Sequence, residues 1–174
     1  GLISSRLTLD GPLDSDKTTF IVSGRRTYAD MFLKMSHNAD IKDNELYFYD
    51  LNAKINHKFD KNNRVFISAY LGNDFFNNSN LGFSFGNAAV TARWNHLFSQ
   101  KLFSNISLNY SRFRYSLQSK YSMDNNFDWQ YAMRDFNLRS DFTYVINPQH
   151  TLKFGYTGIY HILHPGKIAT ENKA

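Results

Sequence analysis

Apolar and polar residues alternate with a period of two along most of the chain. From Tyr47 to Phe59, the residues Tyr47, Tyr49, Leu51, Ala53, Ile55, His57 and Phe59 fall on one parity, and Phe48, Asp50, Asn52, Lys54, Asn56 and Lys58 on the other. Successive side chains of a strand point to opposite sides, so this segment predicts a strand with one apolar and one polar face. Asp135–Ile146 repeats the arrangement: Phe136, Leu138, Phe142, Tyr144 and Ile146, a face broken by Ser140, oppose Asp135, Asn137, Arg139, Asp141 and Thr143. Leu2–Asp10, Thr18–Tyr28, Arg64–Asp74, Asn87–Phe98, Leu102–Tyr115 and Thr151–His164 share the period, which makes eight predicted strands. Several run 10–14 residues, beyond the roughly 5–6 of globular sheets and close to the roughly 9–11 that a tilted membrane strand needs.

The connections sort into two kinds. Asp60–Asn63, Ser99–Lys101 and Asn147–His150 are short and polar, with Gly11–Lys17 somewhat longer. Ala29–Leu46, Phe75–Gly86 and Ser116–Arg134 are long. Short turns on one rim and long loops on the other are the pattern of an outer-membrane barrel, with the long loops extracellular. The expectation is an all-β antiparallel meander, residues 1–174 forming one segment of barrel wall. Counting strands puts both ends at the long-loop rim, where a complete small barrel would have them in the periplasm, so the segment is expected to be part of a larger wall.

Composition agrees. Aromatic residues make up 17%, with 16 Phe and 11 Tyr, yet mean hydropathy is only −0.50. A water-soluble core for so many rings would need more aliphatic residues, whereas a barrel wall sets rings at both membrane interfaces. No apolar run approaches the roughly 18 residues of a membrane helix. The formal charge is +5 with basic and acidic residues interspersed, which argues against a nucleic-acid footprint. The chain has no cysteine, so disulfides and thiolate metal sites do not arise.

Candidate chemistry is sparse. His161 and His164 stand three apart on one strand and face opposite sides, which separates them as metal ligands. Asp40, Asp43 and Glu45, and likewise Asp124, Asn125, Asn126 and Asp128, lack the glycine-pinned spacing of a cation loop and read as solvated loop. Gly82–Gly86 has the form G-x-S-x-G without the strand–turn–helix context of a nucleophile elbow. No catalytic, cofactor-binding or metal-ligating residue is expected, and the chain is read as a non-enzyme. The polar parity (Asn52, Lys54, Asn105, Ser107, Asn109, Asn137, Arg139, Asp141) would line a lumen. Arg25 joins it, because Phe20, Val22 and Tyr28 share the parity of its neighbour Arg26. The long connections carry Phe76, Phe83, Phe85 and Trp129, expected to form an extracellular ligand-recognition surface.

Gly1–Pro12, Phe20–Tyr28, Tyr47–Lys54, Gly86–Ala88 and Arg93–Phe98 together resemble the TonB-dependent outer-membrane receptors of the Bacteroidetes type. The resemblance spans most of the chain and several strands. It implies the early strands of a large plugged barrel, 22-stranded in that family, in the bacterial outer membrane. Its partners would be outer-membrane lipid, the parent's plug domain, the TonB system and a surface lipoprotein cap. The alternative is an independent eight-stranded outer-membrane barrel acting as adhesin or anchor, and a third is an aromatic-rimmed β-domain in water.

Overall fold

The computed structural model describes residues 3–14, 17–42, 44–120 and 126–170. Eight antiparallel strands form one sheet in sequence order, β1-β2-β3-β4-β5-β6-β7-β8. They are β1 (Ser4–Asp14), β2 (Thr18–Thr27), β3 (Glu45–Lys58), β4 (Asn63–Asn77), β5 (Leu81–Ser99), β6 (Leu102–Lys120), β7 (Asn126–Asn147) and β8 (His150–Thr170). Among the described residues strand makes up 82% and helix 5%. The helical residues are α1 (Ala29–Lys34) and α2 (Ala39–Lys42), both within the connection from β2 to β3. The sheet does not close, so β1 and β8 are its two edges.

The expected meander is present, with longer strands than the alternation alone predicts. β5 and β6 have 19 residues each, β7 has 22 and β8 has 21. The expected long loop Ser116–Arg134 is largely strand, since β6 runs to Lys120 and β7 starts at Asn126; Phe75–Gly86 likewise is strand on both sides of a short turn, since β4 runs to Asn77 and β5 starts at Leu81. That turn closes by local chemistry. Asn78 Oδ1 accepts hydrogen bonds from the Asn80 and Leu81 backbone N–H at 2.9 and 2.6 Å. The same device recurs at Asp60, whose Oδ1 accepts from Asn62 and Asn63 at 2.7 and 2.9 Å. Asn147 Oδ1 accepts from Gln149 and His150 at 3.0 and 2.9 Å, and Ser99 Oγ from Lys101 and Leu102 at 3.2 Å each. A short oxygen-bearing side chain at the first turn position satisfies two N–H groups that the ladder leaves free.

Prolines avoid the ladder's interior. Pro12 lies in β1 and Pro165 in β8, each beside a shift in register. Lacking an N–H, proline is tolerated on edge strands and at bulges. Opposite Pro165 and Gly166, β7 offers the single residue Tyr131, and a side chain at Gly166 would collide with the Trp129 indole.

No hydrophobic residue among those described is buried. Following the pairing register, Leu9, Val22, Ala53, Ala69, Val90, Tyr110, Phe136 and Tyr160 make one row across the sheet. Leu9 is 58% exposed and Tyr160 67%. A sheet in water would cover such a face with a second layer, because each Å² of apolar surface left in water forgoes about 25 cal/mol. Among the described residues no second layer exists.

Candidate functional site

The opposite face carries the polar residues. Arg25, Asn52, Lys54, Arg139 and Asp141 all fall on it by register, as the sequence predicts. Arg25 Nε donates to Asp50 Oδ2 at 2.7 Å and its guanidinium lies 4.8 Å from the Phe48 ring centre. Asn52 donates to Asp50 Oδ1 at 3.3 Å. Lys54 Nζ stands 5.7 Å from the Phe66 ring centre. On β7, Arg139 donates through Nε and Nη2 to the two oxygens of Asp141, at 2.8 and 3.3 Å. These side chains therefore engage neighbours along the sheet, and the two groups sit on well-separated strands, β2–β3 and β7.

This face also holds asparagines in register. Asn105 stands between Asn95 and Asp141, and Asn109 between Thr91 and Asn137. The side-chain oxygens of Asn56, Asn95, Asn105 and Asn137 are buried with no hydrogen-bond partner among the described residues. Neighbouring atoms of the sheet itself cover these oxygens, and an oxygen so buried and unpaired costs about 1–3 kcal/mol.

The alternation does not keep one phase to the strand ends. In β6, Ile106, Leu108 and Tyr110 are apolar on even positions, whereas Phe113, Tyr115 and Leu117 are apolar on odd ones. In β7 the change falls between Tyr131/Met133 and Phe136/Leu138, and in β5 between Phe83/Phe85 and Ala88/Val90. The register aligns these changes, since Ala88 pairs with Arg112 and Arg112 with Arg134. On the side of that line toward the Asp60, Ser99 and Asn147 turns, one face is apolar and the other polar. Beyond it the first face becomes polar, with Ser84, Ser116 and Gln130 in register, and the second becomes aromatic.

There the expected loop residues reappear as a strand-borne ladder. Phe76 stacks on Phe83 with ring centres 5.1 Å apart, Phe83 meets Phe85 at 5.4 Å, Phe85 meets Tyr115 at 5.1 Å, and Tyr115 meets Trp129 at 5.3 Å. The expectation that Phe76, Phe83, Phe85 and Trp129 sit in loops is thus corrected: all four are in β4, β5 and β7. The reason is that only Asn78–Asn80 turn between β4 and β5, so the flanking phenylalanines complete cross-strand pairs, as Trp129 of β7 does opposite Leu117. Their grouping on one surface stands, with every ring half-buried. Phe113 extends the strip through Tyr131, ring centres 6.3 Å apart. Sequence reasoning missed Phe113, Tyr115 and Tyr131, and the phase change in β6 and β7 was the signal that could have found them.

The two histidines separate as their spacing predicts, whereas Glu45, Asn126 and Asp128, expected in solvated loops, lie in β3 and β7. His161 turns to the polar face, where Nδ1 lies 2.6 Å from Asp135 Oδ1, while His164 pairs with Ala132 on the other face. No group of three or more potential metal-ligating side chains occurs among the described residues. Ser84 of the G-x-S-x-G run lies mid-strand opposite Ser116. Asp43, Asp124 and Asn125 lie outside the described residues. No protein-family model, curated protein or solved structure matches this chain.

Proposed function

We propose that the chain is wall from an outer-membrane β-barrel of a TonB-dependent nutrient importer. The apolar face meets lipid, the polar face meets a lumen occupied by a plug, and the aromatic ladder stands above the membrane on the route that a ligand takes inward. The observation that carries this reading is the aligned phase change across β5–β7. A sheet packed against another protein layer needs one apolar face along its whole length. A wall that leaves the bilayer partway needs its outer surface to turn polar where lipid ends. The dimensions agree: the 19 residues of β6 rise roughly 45–50 Å at a tilt near 40°, against an apolar band of about 25 Å. Aromatic surface facing inward above that band suits stacking against a ligand. The open sheet favours a larger barrel over an independent eight-stranded one. Import by this reading is plug movement driven from the inner membrane, with no covalent step.

The chain lacks cysteine, so a single cysteine placed in it reports its surroundings when labelling is compared with the unsubstituted protein. In the full-length protein in intact cells, cysteine at Leu108 or Tyr110 should resist a water-soluble maleimide, and cysteine at Ser116 should react. Equal reactivity at Leu108 and Ser116 would sink the membrane reading. Replacing Phe85 and Trp129 together with alanine should reduce ligand uptake while leaving barrel assembly intact. Unchanged uptake would remove the ladder from the ligand route.

A further inference from the structure

The line at which the faces exchange polarity is marked by arginines. Arg112 and Arg134 stand directly opposite each other on the apolar face, and Arg114, two residues further along β6, shares that face opposite Ala132. Like charges in directly opposed strand positions are destabilising. No acid occupies the adjoining positions: Arg112 pairs on its other side with Ala88, Arg134 with Ile162 and Arg114 with Gly86. Among the described residues none of the three joins an ion pair, the three pairs present being Arg25–Asp50, Arg139–Asp141 and His161–Asp135. The Nε of Arg112 is buried without a hydrogen-bond partner. Arg26, elsewhere on the face, differs in having an aromatic partner, its guanidinium 5.4 Å from the Tyr47 ring centre.

Immediately beside the pair, toward the Ser99 and Asn147 turns, lies an open depression of about 600 Å³, lined by Leu108, Tyr110, Phe136, Leu138 and Tyr160 among others. Ala92 and Gly158 keep its floor low. Cationic forks over an apolar trough match a molecule with a phosphate at one end and a hydrocarbon chain at the other. We infer that Arg112, Arg114 and Arg134 hold the phosphate of an anionic lipid in the leaflet nearer the β4–β5 turn, with an acyl chain lying in the depression. The inference rests on the membrane reading above. Guanidinium suits the task because its planar N–H fork engages phosphate oxygens in pairs. The bound phosphate also removes the repulsion between Arg112 and Arg134, so the lipid and the wall stabilise each other.

The test uses the full-length protein, wild type and an Arg112→Gln/Arg134→Gln double variant. Each is reconstituted in phosphatidylcholine vesicles with and without phosphatidic acid, with lipid retention read by native mass spectrometry and stability by thermal melting. Wild type should retain phosphatidic acid, and the double variant should lose roughly tenfold in affinity for each guanidinium removed, the size of one charge-assisted hydrogen bond. In phosphatidylcholine alone the variant should melt higher than wild type, since repulsion is relieved, and phosphatidic acid should reverse that order. Equal retention by both proteins, or no reversal, would overturn the lipid site. In detergent, inorganic phosphate giving the same protection as phosphatidic acid would make the ligand a free anion and also overturn it. Failure of the protein to float with vesicles of either composition would instead remove the membrane reading itself, which separates the two failures. An Arg64→Gln variant, on the polar face by register with Asn95, should retain the lipid like wild type.

Discussion

At the scale of single residues, each position's meaning is set by its parity and its height along the strand. Leu51 and Leu108 lie on the apolar face, 46% and 58% exposed, while Asn52 is next in sequence to Leu51 and points the other way. Arginine at Leu51 or Leu108 should cost about 2–4 kcal/mol in a bilayer, the penalty for a cation near the midplane of a barrel's lipid face. Arginine at Asn52 should cost far less, because it meets the Asp50 carboxylate that Asn52 already contacts. Denaturant titration of the reconstituted protein measures both, and equal penalties would contradict the two-faced wall. Much of this was legible in advance: Arg25, Asn52, Lys54, Arg139 and Asp141 share the polar face that simple alternation assigned to them. Their partners were not, because the Arg25–Asp50 contact depends on which residue of β3 the register sets opposite Arg25.

Among the elements, the hairpin turns show the clearest link from sequence to geometry. Asp60, Asn78, Ser99 and Asn147 each accept two backbone N–H groups across their turn. Asn78→Ala removes both acceptor contacts and should lower stability by about 1 kcal/mol, the net worth of a typical hydrogen bond, as measured by denaturation in vesicles. Asp60 has a further charge effect. Hydrogen bonds from the Asn63 side chain and the Asn62 N–H hold its carboxyl below the ordinary carboxylate range. A carboxyl depressed in the folded state adds stability that is present above its unfolded pKa and lost as pH falls through the folded one. The Asp60 turn should therefore loosen only at acidic pH below that ordinary range. A carbon-13 NMR titration of the Asp60 carboxyl would report it, and a midpoint at or above the usual value would refute the turn geometry. The β4–β5 turn also shows why Phe75–Gly86 reads as a loop from sequence: a polar stretch around Asn77–Asn80 looks like connection until its flanking phenylalanines find partners on the neighbouring strand.

For the whole molecule, the open sheet is the governing feature. β1 and β8 present unpaired edges, and an exposed strand edge offers its N–H and C=O groups to any further strand. Pro12 and Pro165 interrupt those edges only locally. The 174-residue chain on its own in detergent should associate through its edges, as read by analytical ultracentrifugation, and a strictly monomeric species would contradict the edge argument. Circular dichroism of folded material should show well under the roughly one-third helix of an average domain, in line with 5% helix here.

The sequence by itself determined the class of structure: long antiparallel strands with an apolar and a polar side, and turns where oxygen-bearing side chains cluster. That is so because a strand's two-residue period is written into each segment separately and needs no knowledge of its neighbours. Tertiary structure decided everything that depends on pairing between segments. Phe76, Phe83, Phe85, Tyr115 and Trp129 come from four strands and become one ladder only in register. Arg112 and Arg134 lie 22 positions apart in sequence and become an opposed pair for the same reason. Register aligns the phase changes of β5, β6 and β7 into one boundary, because a shift of one residue would turn every side chain to the other face.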